Sequence, residues 1–451
     1  MRFRENHPNV IVFLTDQQRW DSTGIHGNPL DLTPNFDRMA RQGTHLESSF
    51  TCQPLCAPSR SVLQTGLYAT NTGVFRNGVP LRPDAKTLAH YFKDAGYTTG
   101  YIGKWHLANQ NPVPKEKRGG YEYWLGSEAL EFTSEAYHTT VYDSDNKPVF
   151  LPGYRVDALT DAAIRYLTEH RDDQFFLFLS FLEPHHQNDL DDFPPPDGYR
   201  ERYAGRWTPP DLQAHQGSPP QHLAGYWGMV KRLDEALGRL LDALKSLAIS
   251  DDTMVLFSTD HACHFKTRNN EYKRSCHEDS IRLPTALIGG PFTGGGTIRQ
   301  LVSSIDIAPT LLSAAGISAP SRMQGRSILP LLGGKKVPDW PGDVFIQISE
   351  SQVGRAVRTG RWKYCVDAAG KNGGRDMNSD RYVEQYLYDL ECDPYEITNL
   401  AGLSSHRELS NVLRERLLKR MKEAGEPPAT IEPAPSRPGG QRRVTKEDIY
   451  A

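Results

Sequence analysis

The sequence has no Cys-X-X-Cys pair, no long apolar run and no long block of charge of one sign. Its cysteines are spread over 451 residues, which fits neither a zinc ribbon nor a small disulfide scaffold. No segment approaches the ~20 apolar residues of a membrane-spanning helix. The formal net charge is -3 with acids and bases interspersed, so we expect neither a membrane nor nucleic acid as a partner.

The first ten residues, MRFRENHPNV, lack the apolar stretch and the small-residue cleavage site of a signal peptide. From this sequence the protein is expected to be cytoplasmic. A chain from which a leader had already been removed would look the same, and would be periplasmic or secreted.

Strand-like and helix-like segments alternate through the first 340 residues. Asn9 to Leu14 form an apolar, β-branched run that suits a strand buried on both faces of a parallel sheet. A helix is predicted to follow, with Thr33 as N-cap, Pro34 in its first turn and Gly43 at its end. Further strands are predicted at 97–102, 175–181, 253–257 and 283–288, and further helices from about 88, 156 and 222. This alternation indicates an α/β fold with a doubly wound, mostly parallel sheet.

The composition changes in the segment GGKKVPDWPGD, which predicts one domain over 1–340 and a second unit over 341–451. Strands near 355–366 and 385–390 and a charged helix near 405–425 predict a small sheet with a helix, and the Pro-rich segment from 426 onward is expected to be a tail or a surface strap. Two segments of the first domain, 107–150 and 186–220, are too long for ordinary connections and are interpreted as loops that build a binding surface.

Polar residues follow four of the predicted strands directly. In open parallel sheets ligands bind beyond the carboxyl ends of the strands, so these residues are candidates for one shared site. An Asp after a strand is by itself more often a turn or a helix cap, and the inference depends on all four strands together. The residues supply oxygen and imidazole ligands, cations and proton donors: Asp16 and Gln17; Lys104 and His106; His185 and His186; Asp260 and His261.

The segment from 52 to 66, CQPLCAPSRSVLQTG, carries the most specific signal. Cys56, Pro58, Ser59 and Arg60, followed by Thr-Gly, match the CxPSRxxxxTG element, and on this ground the chain resembles the type I sulfatases. Ordered matches along nearly the whole chain accompany it, among them PNVIVFLTDQQ, GYTTGYIGKWHL, FLFLSFLEPHH, STDH and LYDLECDPYEITNLA. A helix start at Cys56 would also present free N–H groups to an anion.

The resemblance implies an alkaline phosphatase-like fold, with a large mostly parallel sheet between helices and a smaller C-terminal antiparallel sheet with a helix. It implies that a maturation enzyme oxidises Cys56 to formylglycine, whose hydrated aldehyde is the nucleophile. A gem-diol can expel sulfate by collapsing to the aldehyde, whereas a thiol would leave a linkage with no easy exit. The expected activity is hydrolysis of the sulfate ester of a small molecule or, more specifically, of a saccharide.

The resemblance also implies a role for each candidate residue. One divalent metal ion would be held by Asp16, residue 56, Asp260 and His261, with Gln17 as a further ligand or merely as a helix cap. Calcium is expected, and the imidazole ligand leaves manganese or magnesium open. The sulfate would be clamped by Arg60, Lys104 and Lys273. Asp260 would take a proton from the attacking group, His185 would protonate the leaving alcohol and His106 would remove the second proton.

Alternatives remain open at this stage. His106 and His185 could be core histidines, and Lys273, His264 and His277 could be solvated loop residues. Position 17 holds Gln and position 261 holds His where many sulfatases have Asp and Asn, so a phosphonate monoester or phosphodiester hydrolase is a second candidate. A third candidate is a protein that binds an anion without turnover.

Overall fold

A computed structural model describes residues 7–294, 296–439 and 448 of the chain. The larger of its two sheets runs in the order β10-β2-β9-β8-β1-β7-β3-β4-β5-β6, with β11 paired to β2. Its strands are Asn9–Thr15 (β1), Thr44–Phe50 (β2), Thr98–Lys104 (β3), Tyr123–Ser127 (β4), Thr139–Tyr142 (β5), Pro148–Leu151 (β6), Phe175–Ser180 (β7), Thr253–Thr259 (β8), Arg282–Ile288 (β9), Thr297–Ile298 (β10) and Val302–Ser303 (β11).

The central strands β8, β1, β7, β3 and β4 are all parallel. The sheet has helices against both faces, and this confirms the predicted α/β fold. Along β1, Val10, Val12 and Leu14 enter one core, while Ile11 and Phe13 enter the core on the opposite face. Because successive side chains of a strand point to opposite faces, a strand covered on both sides has to be apolar throughout.

The helices agree with the predicted alternation. They are Pro34–Gln42 (α1), Cys56–Thr65 (α2), Ala69–Thr72 (α3), Leu88–Asp94 (α4), Leu130–Thr133 (α5), Arg155–Glu169 (α6), Tyr199–Tyr203 (α7), Pro210–Ala214 (α8), Pro219–Ser246 (α9), Glu278–Ile281 (α10), Ile307–Ala314 (α11) and Arg407–Glu423 (α12). None of the helices in the described part of the chain has the length and apolar character needed to cross a bilayer.

The interpretation of 107–150 as a binding loop is wrong for much of its length. Three strands of the segment, β4, β5 and β6, extend the large sheet, with β4 parallel to β3. The segment 186–220 carries the short helices α7 and α8, and its last two residues open the long helix α9. Short strands at a sheet edge present few apolar positions, so they leave little periodic signal in the sequence.

The second sheet runs in the order β12-β13-β14-β15-β16, and its first four strands are antiparallel. Its strands are Asp343–Ile348 (β12), Gly354–Thr359 (β13), Trp362–Asp367 (β14), Arg381–Asp389 (β15) and Thr430–Glu432 (β16). The helix α12 packs against this sheet in a core that also includes Cys52 and Val62 of the first unit. The domain boundary at 340 stays a prediction, and most of the tail beyond 439 lies outside the described residues.

Candidate active site

Four neighbouring parallel strands deliver the polar residues to one edge of the sheet. Asp260 follows β8 and Asp16 follows β1, while His185 lies five residues beyond β7 and Lys104 is the last residue of β3. The helix α2 begins at Cys56 and is buried along its whole length against this edge. The structure therefore brings the nucleophile candidate and the strand-end residues into one buried cluster.

Cys56 lies at the centre of a set of metal-binding groups. One ligand atom from each of Asp16, Cys56, Asp260 and His261 falls within 4.8 Å of the other three. The Cys56 Sγ is 3.2 Å from His261 Nε2 and 3.6 Å from Asp16 Oδ1. Two carboxylates, an imidazole and the position of the expected formylglycine oxygen match the donors that a divalent ion takes.

Two neighbouring contacts agree with a metal at this place. His261 Nδ1 is 3.0 Å from the carbonyl oxygen of Ala262, so the Nε2 lone pair faces the cluster. Gln17 Oε1 is buried and has no hydrogen-bond partner in the part of the chain that the structure describes. The Gln17 side chain does not cap a helix; its amide nitrogen faces His186 and Cys263. An unsatisfied buried amide oxygen is costly unless something absent from a bare polypeptide completes it, and a cation would do so.

Two lysine ammonium groups lie beside the cluster. Lys104 Nζ is 2.8 Å from Asp16 Oδ2, and Lys273 Nζ is 3.0 Å from Cys56 Sγ and 2.8 Å from His185 Nε2. Lys273 is only 4% exposed, so it is not a solvated loop lysine. His264 and His277 are also buried, but His264 Nε2 contacts the Lys273 carbonyl oxygen and His277 contacts Ser275, outside the cluster.

Arg60 contacts protein groups, whereas the sequence predicts that it clamps the sulfate. Its guanidinium donates to Asp260 at 3.1 Å, to Asp16 at 3.0 Å, to the Lys104 carbonyl at 2.9 Å and to Ser180 at 2.7 Å. These contacts occupy four of the five N–H groups of the side chain. Arg60 therefore holds the two carboxylates in place and has little capacity left for an anion.

The charges around Cys56 favour an anion at this position. Burial opposes ionisation of the thiol, but Lys104, Lys273 and His261 hold its pKa well below the ordinary value. Cys52, four residues away, shows the opposite behaviour, because burial raises the pKa of its thiol to about 12. Burial and the neighbouring Asp16 raise the pKa of Asp260, so one of these two carboxyls resists ionisation when no cation is bound.

Glu131, which lies in α5 and is 3% exposed, is a residue of the site that the sequence does not reveal. Its Oε1 is 2.8 Å from Lys104 Nζ and 4.0 Å from His106 Nδ1. No motif marks this residue, because it reaches the site from a four-residue helix within the segment 107–150.

Comparisons with known proteins place the chain in a family. The Sulfatase family profile matches residues 8–317, and the profile for the C-terminal region of N-sulphoglucosamine sulphohydrolase matches residues 270–423. The chain belongs to the sulfatase family, within the alkaline phosphatase-like superfamily, and is a sulfuric ester hydrolase.

Similar proteins include sulfatases of saccharides. The chain is 29% identical over 445 residues to the ulvan-active sulfatase of Formosa agariphila, covering 93% of this chain and 82% of that protein. It is 24% identical over 492 residues to the N-acetylglucosamine-6-O-sulfatase of Bacteroides thetaiotaomicron, covering 90% and 86%. The crystal structure of the sulfatase-family protein yidJ from Bacteroides fragilis superposes with a TM-score of 0.82 at 25% identity, covering 95% of this chain and 98% of that one.

Proposed function

We propose that this protein hydrolyses the sulfate ester of a saccharide, using formylglycine made from Cys56 and one divalent metal ion. The observation that carries the proposal is the position of Cys56, buried among two carboxylates, an imidazole and two lysine ammonium groups. The relatives named for ulvan and for N-acetylglucosamine 6-sulfate support a saccharide as the substrate.

The metal would be held by Asp16, Asp260, His261 and residue 56, with Gln17 completing the set through its unsatisfied oxygen. When both are present, the metal supplies Lewis-acid polarisation of the sulfate and the hydrated formylglycine supplies the attacking oxygen. Calcium is the proposed ion, with manganese or magnesium as alternatives that the imidazole donor allows.

The chain's own residues would bind the sulfate and move protons. Lys104 and Lys273 bring two ammonium groups to residue 56, where they neutralise the charge of the transferred group. Asp260 accepts the proton of the attacking hydroxyl. His185, whose Nε2 is 2.8 Å from Lys273 Nζ, donates a proton to the leaving alcohol oxygen. His106 accepts the second hydroxyl proton, so that sulfate can depart.

The proposal is tested with protein produced together with a formylglycine-generating enzyme. Rates are measured on an aryl sulfate and on the matching aryl phosphonate ester, followed by a panel of sulfated monosaccharides and oligosaccharides. We expect a higher kcat/KM for the sulfate, release of inorganic sulfate from at least one saccharide, and loss of both rates after chelation. A higher kcat/KM for the phosphonate ester would overturn the assignment of substrate.

A further inference from the structure

Glu131 and His106 lie side by side at the edge of the candidate site. Glu131 Oε1 is 4.0 Å from His106 Nδ1, and the Glu131 side chain is almost fully buried. His106 also neighbours the nucleophile position, since it is close enough to hydrogen-bond the Cys56 thiol. The imidazole therefore has both a carboxylate and residue 56 as neighbours.

Two atoms of this pair lack partners. Within the described residues, Glu131 Oε2 and His106 Nδ1 are both buried and make no hydrogen bond. A buried polar atom without a partner is costly, so two such atoms in adjacent side chains call for a common explanation. Hydrogen bonds between catalytic groups are often long before substrate binds, and a shift of about 1 Å would join these two side chains.

Charge pairing with Lys104 does not fully explain why Glu131 is buried beside His106. Lys104 already pairs with Asp16 at 2.8 Å, and Glu131 uses only Oε1 for its own 2.8 Å contact with the ammonium group. Hydrogen bonds hold the backbone of both residues of the pair: the Glu131 carbonyl accepts from Gln187 Nε2 at 2.8 Å, and the His106 N–H donates to the Glu128 carbonyl at 2.7 Å.

We propose that Glu131 is a positioning residue that accepts a hydrogen bond from Nδ1–H of His106 and so fixes the imidazole with its Nε2 lone pair toward residue 56. This inference rests on the proposed function, in which His106 accepts a proton at the nucleophile. When Nε2 takes that proton, the O–H bond electrons form the new carbonyl bond and the sulfate leaves with the electrons of its own C–O bond. The imidazolium is then stabilised by the Glu131 carboxylate, and its proton passes to water.

The tautomer of His106 can be observed without any turnover. The full chain with unconverted Cys56 is labelled with ¹⁵N-histidine, and the ring nitrogens are recorded at a pH where imidazole is neutral. The His106 signals are assigned by their loss in His106→Gln. We expect a protonated Nδ1 in the wild type and in Glu131→Gln, whose amide oxygen still accepts, and a shift toward a protonated Nε2 in Glu131→Leu.

A wild-type His106 protonated on Nε2 alone would overturn the proposal, and so would a Glu131→Leu spectrum unchanged from the wild type. The first of these results needs no variant, so a failure of Glu131→Leu to fold does not remove the test. If Glu131 served only to neutralise Lys104, neither substitution would move the His106 tautomer.

Kinetics of the converted, metal-loaded enzyme provide a second readout. We expect Glu131→Leu to lower kcat roughly 10- to 100-fold with little change in KM, and Glu131→Gln to lose less. Glu122→Leu is the matched control, because Glu122 forms a solvent-exposed ion pair with Lys93. Equal losses for Gln and Leu would contradict the positioning role.

A converted wild type that releases no sulfate would refute the proposed function, while the tautomer measurement would still decide the arrangement of His106.

Discussion

At the scale of single residues, the neighbours of a side chain decide its chemistry. Cys52 and Cys56 are both buried and lie four residues apart. Apolar surroundings make Cys52 a weak acid, whereas two lysines and a histidine stabilise an anion at Cys56. A sequence shows which residue types are present, but only the fold shows which cations surround which thiol.

Replacement of Lys273 by alanine tests the cation closest to the nucleophile position. Its Nζ contacts both Cys56 Sγ and His185 Nε2, so in the proposed mechanism Lys273→Ala would remove a sulfate-binding charge and a contact that orients the proposed acid, His185. We expect kcat/KM for an aryl sulfate to fall roughly 10²- to 10⁴-fold. Lys266→Ala is the control, since Lys266 pairs with Asp191 near the surface; equal losses in both variants would contradict the assigned role.

Most candidate residues could be found from the sequence because they follow a strand or lie in the helix that opens at Cys56, whereas Lys273 was found only through the family resemblance. Glu131 could not be found in this way, because its four-residue helix has no periodic pattern. The contacts of Arg60 were equally out of reach, since they depend on groups that lie 44, 120 and 200 residues away along the chain.

At the scale of elements, the ends of parallel strands determine the position of the site. The strand β1 was predicted from its apolar run, and β7 and β8 follow the same rule. The strand β2, THLESSF, was missed because it is polar in its centre and pairs irregularly with β9. Uniformly apolar central strands are thus predictable from composition, whereas a strand with polar residues, such as β2, depends on the strands that it pairs with.

Gly103 is the residue that lets β3 carry Lys104 into the site. It has a φ of 105°, and a Cβ at this position would lie 1.9 Å from the Ser180 carbonyl oxygen of β7. We expect Gly103→Ala to lower the free energy of unfolding by about 2–4 kcal/mol, through backbone strain and displacement of β7. Denaturant unfolding measures this, with Gly342→Ala as the control in open space; equal stability of the two variants would contradict the prediction.

At the scale of the whole molecule, the second sheet supports the segments around the nucleophile. The Gln347 N–H donates to the Cys52 carbonyl at 2.8 Å, next to the segment that leads into α2. Glu350 pairs with Arg274 at 2.7 Å, directly beside Lys273. The C-terminal unit therefore contributes to the geometry of the site as well as to stability.

A buried charge cluster joins the two units, and its two glutamates should behave differently. Lys363 of β14 lies 2.8 Å from Glu278 and 2.6 Å from Glu396. Glu278 is ionised, because Arg358 and Lys363 outweigh its burial and lower its pKa, whereas burial raises the pKa of Glu396 to about 7. At pH 6 we expect Glu278→Gln to cost about 3 kcal/mol of unfolding free energy and Glu396→Gln at most about 1 kcal/mol.

The same cluster should make the free energy of unfolding depend on pH. The folded state keeps the Glu396 proton to a higher pH than the unfolded state does. The contribution of protonated Glu396 to the free energy of unfolding is therefore fully present at low pH. It is lost as the pH rises from about 4.5, near the unfolded pKa, to about 7. The stability of the wild type relative to Glu396→Gln should therefore fall over this range. A constant difference between the two proteins in denaturant titrations at several pH values would show that Glu396 is ionised throughout.

The central claim is that residue 56, once converted to formylglycine, performs the hydrolysis. The most direct measurement compares sulfate release with the fraction of position 56 that mass spectrometry detects as aldehyde, in preparations made with increasing amounts of maturation enzyme. We predict a straight line through the origin for the wild type and for Cys52→Ala, and no activity at any level for Cys56→Ala. Sulfate release that does not change with the aldehyde fraction would contradict the account.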